Sequence, residues 1–350
     1  MDPVSLLTGL LTHYSPTGQE AEAVSYLVAQ MQAAGLEAWV DGAGNAIGQC
    51  GEGEESVVLL GHIDTVPGEI PVTREGDRLN GRGAVDAKGP LACFAAAAAA
   101  VKDQLHSRRV VVIGAVGEEG DSRGAHFIKD KYRPACTIIG EPSSWERVTL
   151  GYKGSAWFDY RVRRTLAHTS AQNESACEAA VSYWNRVTAW AAERNAGASR
   201  VFEQVSPTLR GMDSGSDGFA ERAGLRFGLR LPPGVSVANA ESALQALVTE
   251  ADLTLIDGVP AYRAEKNTPL VRAFLAAIRQ AGGTPSFSVK TGTSDMNVVA
   301  PLWGTPILAY GPGDSSFDHT PDEHILVSEY LKSVDVLSQV LITLAGLPAP

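Results

Sequence analysis

The stretch SVVLLGHIDTVP, residues 56–67, carries the pattern from which the fold can be inferred. Residues 56–61 form a short apolar run, which is typical of a strand that is buried on both faces of a sheet. Two polar residues, His62 and Asp64, follow directly after this run. In open α/β sheets, ligands bind at the carboxyl ends of the strands, so the stretch predicts such a sheet with a functional edge.

Further strands and helices are predicted on both sides of this stretch. Residues 109–115 and 136–140 are rich in Val or Ile and predict two more buried strands, and an alanine-rich helix is predicted over residues 88–104. Upstream, Thr17 and Glu20 form a capping box that predicts the start of a helix. This alternation predicts an α/β domain with a mostly parallel central sheet and helices on both faces.

The pattern changes at about residue 153. Apolar side chains now alternate with polar or exposed positions, as in a sheet with one wet face, at Ala156, Phe158, Tyr160 and Val162. Two helices and further strands follow, which predicts a small α+β unit. The first pattern returns after residue 267, so we predict a main domain with an inserted second domain, over residues 1–152 with 265–350, and 153–264 respectively.

The composition narrows the classes of function. The formal charge is 29 − 40 = −11, and this acidic balance argues against binding to nucleic acids or anionic membranes. The longest apolar run, residues 91–101, is eleven residues long, whereas a membrane span needs roughly 20. The N-terminus has no signal-peptide pattern, and the four cysteines include no C-x-x-C pair. We expect a cytoplasmic protein with reduced cysteines.

Several residues that bind metals or transfer protons fall at strand ends or helix starts. They are His62 and Asp64, Asp86 in GRGAVDAKG, Glu118 and Glu119, Glu141, and a second isolated histidine, His319. Taken singly, each could be a buried histidine with a satisfied hydrogen bond, a solvated loop acid, a turn or a helix cap. Their common placement at one predicted sheet edge favours a site of imidazole nitrogens and carboxylate oxygens, suited to Zn²⁺, Co²⁺ or Mn²⁺.

These motifs resemble those of the co-catalytic dizinc amidohydrolases and exopeptidases. That family includes acetylornithine deacetylase, succinyl-diaminopimelate desuccinylase and the glutamate carboxypeptidases. The resemblance covers almost the whole chain and is carried, in the family's order, by GHIDTVP (61–67), GRGAVDAKG (81–89), GEE (117–119), GEP (140–142) and DHT (318–320). It implies a zinc-exopeptidase-like main domain that carries the dimetal site, and an insert that acts as a lid or dimerisation domain.

The resemblance also assigns a role to each residue. It implies that Asp86 bridges two divalent metal ions, Zn²⁺ or Co²⁺, with His62 and Glu141 completing one site and Glu119 and His319 the other. In the same pattern Glu118 is the general base, and Asp64 is the acid that orients the imidazole of His62. His168 resembles the lid histidine that reaches into the active site of a partner subunit, which implies a homodimer.

The substrate is indicated by a separate loop. KTGTSDMN, residues 290–297, resembles the substrate-facing loop of the enzymes that release lysine or ornithine from an amino-group carrier protein in lysine and arginine biosynthesis. The resemblance implies an acidic carrier as partner, and we expect Arg230, Lys290 and Thr293 to contact the substrate. The alternatives are an N-acetylornithine or N-acetyl-lysine deacetylase, a succinyl-diaminopimelate desuccinylase or a dipeptidase, and more remotely a non-catalytic metal-binding protein.

Overall fold

The structure, a computed structural model, describes residues 1–105, 107–168, 170 and 173–346. The last four residues of the predicted main domain therefore lie outside the described residues. The chain divides into two units. The first unit contains Met1–Gly151, Ala264–Val289 and Ser294–Pro350, and the second contains Tyr152–Arg263 and Lys290–Thr293.

The helices and strands are numbered along the chain. The helices are α1 (Pro3–Thr12), α2 (Ala21–Ala33), α3 (Lys88–Val101), α4 (Arg123–Ile128), α5 (Ala176–Arg194), α6 (Val237–Gln245), α7 (Pro269–Gln280), α8 (Asp295–Trp303) and α9 (Val327–Ala345). The strands are β1 (Glu37–Val40), β2 (Ala46–Cys50), β3 (Ser56–His62), β4 (Thr73–Glu75), β5 (Arg78–Asn80), β6 (Arg109–Ala115), β7 (Cys136–Gly140), β8 (Arg147–Tyr152), β9 (Gly154–Thr165), β10 (Ser206–Ser216), β11 (Ala220–Leu231), β12 (Asp252–Val259), β13 (Tyr262–Arg263), β14 (Ser286–Lys290), β15 (Ile307–Ala309) and β16 (His324–Leu326).

The first unit contains the predicted α/β sheet. Its strands follow the order β1-β2-β6-β3-β7-β15-β8. The central strands β6, β3, β7 and β15 are parallel, whereas β1, β2 and β8 pair in antiparallel fashion towards the edges. The predicted fold class is confirmed, and the sheet is mixed because its outer strands run antiparallel.

Small residues allow α3 to approach the sheet closely. Nearly every residue of α3 is buried, and the helix contacts both β3 and α9. At Gly61 of β3, an added Cβ would lie 3.4 Å from Cβ of Leu91, and at Gly140 of β7 it would lie 2.9 Å from a ring carbon of Phe94. Glycine at these positions therefore keeps the strand ends and the helix in tight packing.

The predicted capping box at Thr17 and Glu20 is wrong. Helix α2 begins at Ala21, and its N-cap residue Glu20 makes no side-chain capping bond. The Thr17 hydroxyl instead donates to Oδ2 of Asp64 at 2.7 Å, and Oε1 of Glu20 accepts from Nη2 of Arg123 at 2.7 Å. Both side chains are taken up by tertiary contacts that no local pattern could indicate.

The second unit contains an antiparallel sheet with the strand order β10-β11-β9-β12. One face of β9 is buried in the core of this unit, as the alternation predicts. Its side chains pack there against side chains of α5 and β11. Tyr160 stacks on Tyr183 of α5 with ring centroids 4.2 Å apart, and Phe158 stacks on Phe227 of β11 at 5.4 Å. Helices α5 and α6 on this sheet form the predicted α+β arrangement.

Within the part of the chain that the structure describes, no helix is both long and apolar enough to span a membrane. The cysteines, which all lie within this part, form no disulfide.

Candidate metal centre

The parallel strands of the first unit bring the predicted ligands to one edge. His62 is the last residue of β3, Glu118 and Glu119 follow the end of β6, and Glu141 follows the end of β7. In the sheet register His62 lies opposite the final residue of β6, and its neighbour along β3 lies opposite the final residue of β7. Because neighbouring parallel strands end at the same edge, these side chains converge there.

Asp86 lies between the two histidines. Nε2 of His62 is 3.1 Å from Oδ1 of Asp86, and Nε2 of His319 is 3.0 Å from Oδ2 of the same carboxylate. Oε1 of Glu119 lies 2.9 Å from Nε2 of His319, and Oε1 of Glu141 lies 4.0 Å from Nε2 of His62. The structure thus brings all the predicted metal ligands together around one shared carboxylate.

Potential ligand atoms lie within 4.8 Å of one another in three groups of described residues. Two of them share Asp86, and each contains one histidine: His62 with Asp86 and Glu141, and Asp86 with Glu119 and His319. The third joins His62 to Glu118 and Glu119. Glu118 therefore lies beside the ligand cluster, within reach of a group that is bound there.

The protonation of His62 tests whether a cation fits. Nδ1 of His62 lies 2.9 Å from the main-chain oxygen of Asp64, and since a carbonyl only accepts, Nδ1 carries the proton. In the neutral ring Nε2 then presents its lone pair to the carboxylate of Asp86. Two electron-rich atoms are stable 3.1 Å apart only with a proton or a metal ion between them.

The charges around His319 lead to the same conclusion. Hydrogen bonds to Asp86 and to Glu119 raise the pKa of His319 to about 10. Burial opposes ionisation of Asp86, yet hydrogen bonds from His319 and His62 outweigh it and hold the pKa of that carboxyl well below its usual range. The ionised carboxylate of Asp86 favours positive charge here, and imidazole nitrogens with carboxylate oxygens are ligands that Zn²⁺ and related ions prefer.

The side chain of Asp64 has contacts that the sequence did not reveal. Its Oδ1 lies 3.6 Å from Nδ1 of His62, so the hydrogen bond to the ring is made by the main-chain oxygen instead. Oδ1 accepts from the main-chain N–H of Glu118 at 3.0 Å, and Oδ2 accepts from that of Glu119 at 3.1 Å. The fully buried Asp64 carboxylate therefore holds the turn that carries Glu118 and Glu119.

Two acidic side chains beside the ligands, Glu118 and Asp295, have raised pKa values. Burial raises the pKa of Glu118 well above its ordinary value, and the neighbouring charges of Glu141 and Asp295 add to this. Asp295, the first residue of α8, is only 3 % exposed, and burial raises its pKa to about 7. Asp295 lies in the motif KTGTSDMN, from which no role for it was predicted. Its position beside a helix N-cap serine gave no sign of burial.

The remaining predicted residues belong to the second unit. Nη1 of Arg230 donates to Oγ1 of Thr293 at 3.1 Å, and the main-chain oxygen of Lys290 accepts from the main-chain N–H of Lys153 at 3.2 Å. The structure thus joins Arg230 to Thr293 in one hydrogen bond. His168 is exposed, and its Nδ1 lies 2.8 Å from Oγ of Ser170.

Fold and site together define a metal-dependent hydrolase built on an α/β sheet, with two ligand groups that share the carboxylate of Asp86. The model of the peptidase family M20/M25/M40 matches residues 58–343, and the chain belongs to this family. The family uses divalent metal ions, and the prediction of a metal-dependent amide hydrolase is confirmed.

Individual relatives extend over nearly the whole chain. A [LysW]-lysine hydrolase from Deinococcus radiodurans is 45 % identical, over 95 % of this chain and 94 % of that protein. A [LysW]-lysine/[LysW]-ornithine hydrolase from Sulfurisphaera tokodaii is 28 % identical, over 93 % and 90 %. The predicted family resemblance is therefore confirmed.

Solved structures show the same fold at low sequence identity. An M20 family metallo-carboxypeptidase from Sulfolobus solfataricus superposes with a TM-score of 0.80 at 16 % identity, covering 99 % of this chain and 100 % of its own. The aminopeptidase PepT from Bacillus cereus gives a TM-score of 0.78 at 18 % identity, covering 98 % of both chains. At these identities the likeness concerns the fold.

Proposed function

We propose that this protein hydrolyses the amide that links lysine or ornithine to the side chain of the C-terminal glutamate of an acidic amino-group carrier protein. Water adds across the amide, the C–N bond breaks, and the products are the carrier glutamate carboxylate and the free amino acid. The observation that carries the chemistry is the placement of Asp86 between His62 and His319. The substrate is supported by the relatives that are named for lysine and ornithine release, which cover almost the whole chain.

The same site supports a proposal for the metal ions. We assign one divalent ion to His62, Asp86 and Glu141, and a second to Asp86, Glu119 and His319, with Zn²⁺ or Co²⁺ as the ions that suit this ligand set. Bound there, the ions supply a Lewis acid for the scissile carbonyl and lower the pKa of a water. The role of the protein is to fix the ligands, and the main-chain oxygen of Asp64 does this for the ring of His62.

Glu118 is the residue we assign to proton transfer. It takes a proton from the attacking water and returns it to the leaving amine. Its raised pKa supports this role, because a carboxylate that binds protons more strongly than usual is a better base towards water. The hydrogen bond from the main-chain N–H of Glu118 to Oδ1 of Asp64 holds the backbone from which the Glu118 side chain extends.

The second unit is the proposed lid and dimerisation domain, and it supplies the substrate contacts. The guanidinium of Arg230 can bind the carboxylate of the released amino acid through two parallel hydrogen bonds. Its bond to Thr293 fixes one end of that guanidinium, and Lys290 lies on the same loop as Thr293. His168 is assigned to the active site of a partner subunit, so the proposal includes a homodimer. A cytoplasmic location is supported by the unpaired cysteines.

The substrate proposal is tested by comparing kcat/KM on four substrates. These are the carrier loaded with lysine, the carrier loaded with ornithine, N-acetylornithine and N-succinyl-diaminopimelate, each with added Zn²⁺ or Co²⁺ and with a chelator. We expect a chelator-sensitive preference for the loaded carrier. Preference for a free acylated amino acid would retain the chemistry and reject the carrier as substrate.

The dimer proposal is tested by mixing two inactive variants. His168→Ala and Glu118→Gln are each expected to have little activity alone. In a mixed dimer, one active site has its own Glu118 and receives His168 from the other chain, so activity should return to about a quarter to a half of the parent value. No recovery after subunit exchange, verified with differently tagged chains, would show that His168 does not act across subunits.

A further inference from the structure

A buried ion pair, Arg82 with Glu323, lies beside the proposed metal centre. Nη1 of Arg82 is 2.8 Å from Oε2 of Glu323, and the two residues are 7 % and 1 % exposed. They are 241 positions apart in the chain. Arg82 stands four residues before Asp86, and Glu323 stands four residues after His319, so the pair joins two loops that each supply a metal ligand.

Glu323 holds the main chain at Asp86. Its Oε1 accepts from the main-chain N–H of Val85 at 2.9 Å and from that of Asp86 at 3.0 Å. The main-chain oxygen of Glu323 also accepts from the N–H of Gly81 at 3.3 Å. Glu323, which lies on the loop of His319, thus holds the backbone of Asp86, whose carboxylate both ligand groups share.

Arg82 holds the other loop next to His319. Its Nη1 donates to the main-chain oxygen of Thr320 at 3.2 Å, and its Nε donates to that of Gly68 at 2.8 Å. His319 has a φ of 61°, in the left-handed region that residues other than glycine adopt at an energetic cost. The hydrogen bond from Arg82 to the main-chain oxygen of Thr320 holds the backbone directly after His319.

We propose that the Arg82–Glu323 pair is a positioning device that sets the separation between Asp86 and His319, and thereby the affinity of the ion held by Asp86, Glu119 and His319. The inference rests on the proposed dimetal site. A buried ion pair adds little to stability compared with apolar packing, which makes a purely structural role a weak explanation. The hydrogen bonds of this pair instead go to the two loops that carry Asp86 and His319, and to Gly68.

The geometry predicts that the two ions respond differently. The group of His62, Asp86 and Glu141 takes no ligand from the loop that carries His319, whereas the other group does. Loss of the guanidinium should release that loop while Oε1 of Glu323 keeps its two main-chain partners. The ion that needs His319 should therefore bind more weakly, and the other ion should change little.

The experiment compares Arg82→Met, Arg82→Lys and the parent after removal of metal. Calorimetric titration with Co²⁺, followed also through the visible absorption of bound Co²⁺, gives both affinities, and His319→Ala identifies which step belongs to which ion. We expect Arg82→Met to weaken the His319-dependent step by roughly 10–100-fold, as loss of a group that orients a ligand does. The other step should change less than about threefold, and Arg82→Lys, which keeps a cation, should recover part of the loss.

Arg108→Met is the matched control. Arg108 is also buried in the first unit and pairs with Glu55, away from the metal ligands. The Arg108→Met substitution should lower the unfolding temperature without a selective effect on either of the two Co²⁺ binding steps. If Arg82→Met behaves like this control, or weakens both steps equally, the positioning proposal is overturned. If the parent chain binds fewer than two ions, the dimetal proposal itself fails, so the two failures are distinguishable.

Discussion

The side chain of Asp64 leads to a sharp prediction about the turn that carries Glu118 and Glu119. The change is Asp64→Asn, which keeps the shape of the side chain and removes its charge. Asp64 is 0 % exposed, and its Oδ1 accepts from the N–H of Glu118 while its Oδ2 accepts from Thr17 and from the N–H of Glu119. We expect this substitution to loosen the turn that carries Glu118, the proposed general base.

The magnitude follows from these hydrogen bonds. An amide has one oxygen, so in either orientation its NH₂ group faces one of the two main-chain N–H donors. Hydrogen bonds to a charged group contribute about 1.5–3 kcal/mol, and a buried donor left unpaired costs about 1–3 kcal/mol. We expect the free energy of unfolding to fall by about 3 kcal/mol. A displacement of Glu118 by about 1 Å should lower kcat by about 100-fold.

The assay measures stability and turnover on the same preparations. Urea unfolding of the metal-free protein gives the change in free energy, and initial rates with saturating loaded carrier give kcat. Thr17→Val is the matched control, because it removes one neutral donor to Asp64 and keeps the carboxylate. It should cost about 1 kcal/mol and change kcat by less than about threefold.

One outcome would refute this reasoning. If Asp64→Asn unfolds at the same urea concentration as Thr17→Val and retains most of the parent turnover, the carboxylate does not hold the turn that carries Glu118 and Glu119. A loss of turnover with an unchanged free energy of unfolding would show instead that the charge of Asp64 matters for the reaction and its hydrogen bonds do not.

Three further predictions concern single residues. Glu118→Gln should lower kcat by roughly 10²–10⁴-fold with metal content unchanged by elemental analysis, and near-parental turnover would reject it as the base. His62→Ala should lose metal and turnover together; metal content equal to the parent would contradict its assignment as a ligand. Burial and the charge of Arg230 lower the pKa of Lys153 to about 8, from an ordinary value of 10.5. Between these two pH values the unfolded chain binds a proton that the folded chain has released. The free energy of unfolding therefore rises with pH, by at most about 1.4 kcal/mol per pH unit. Lys153→Met should abolish this rise, and equal slopes for the two proteins in urea unfolding would count against it.

Much of the fold could be predicted because it depends on local patterns. The alternation of Phe158 and Tyr160 with exposed positions predicted which face of β9 is buried, since the two faces of a strand alternate residue by residue. Thr268 followed by Pro269 is a pattern typical of a helix start, and α7 begins at Pro269, where the hydroxyl oxygen of Thr268 accepts from the N–H of Val271. The capping box at Thr17 failed because its hydroxyl donates to Asp64 instead.

The sequence by itself determined that His62, Glu119 and Glu141 meet at one sheet edge, because each follows a buried strand of a parallel sheet. Asp86 and His319 were indicated by the motifs GRGAVDAKG and DHT. Only the tertiary structure decided how those residues are held. Asp64 supports Glu118 from 54 positions away, and Glu323 supports Asp86 from 237 positions away. Such contacts depend on how strands and loops assemble in space. Local periodicity and capping patterns extend over only a few residues, so these patterns cannot predict contacts between distant parts of the chain.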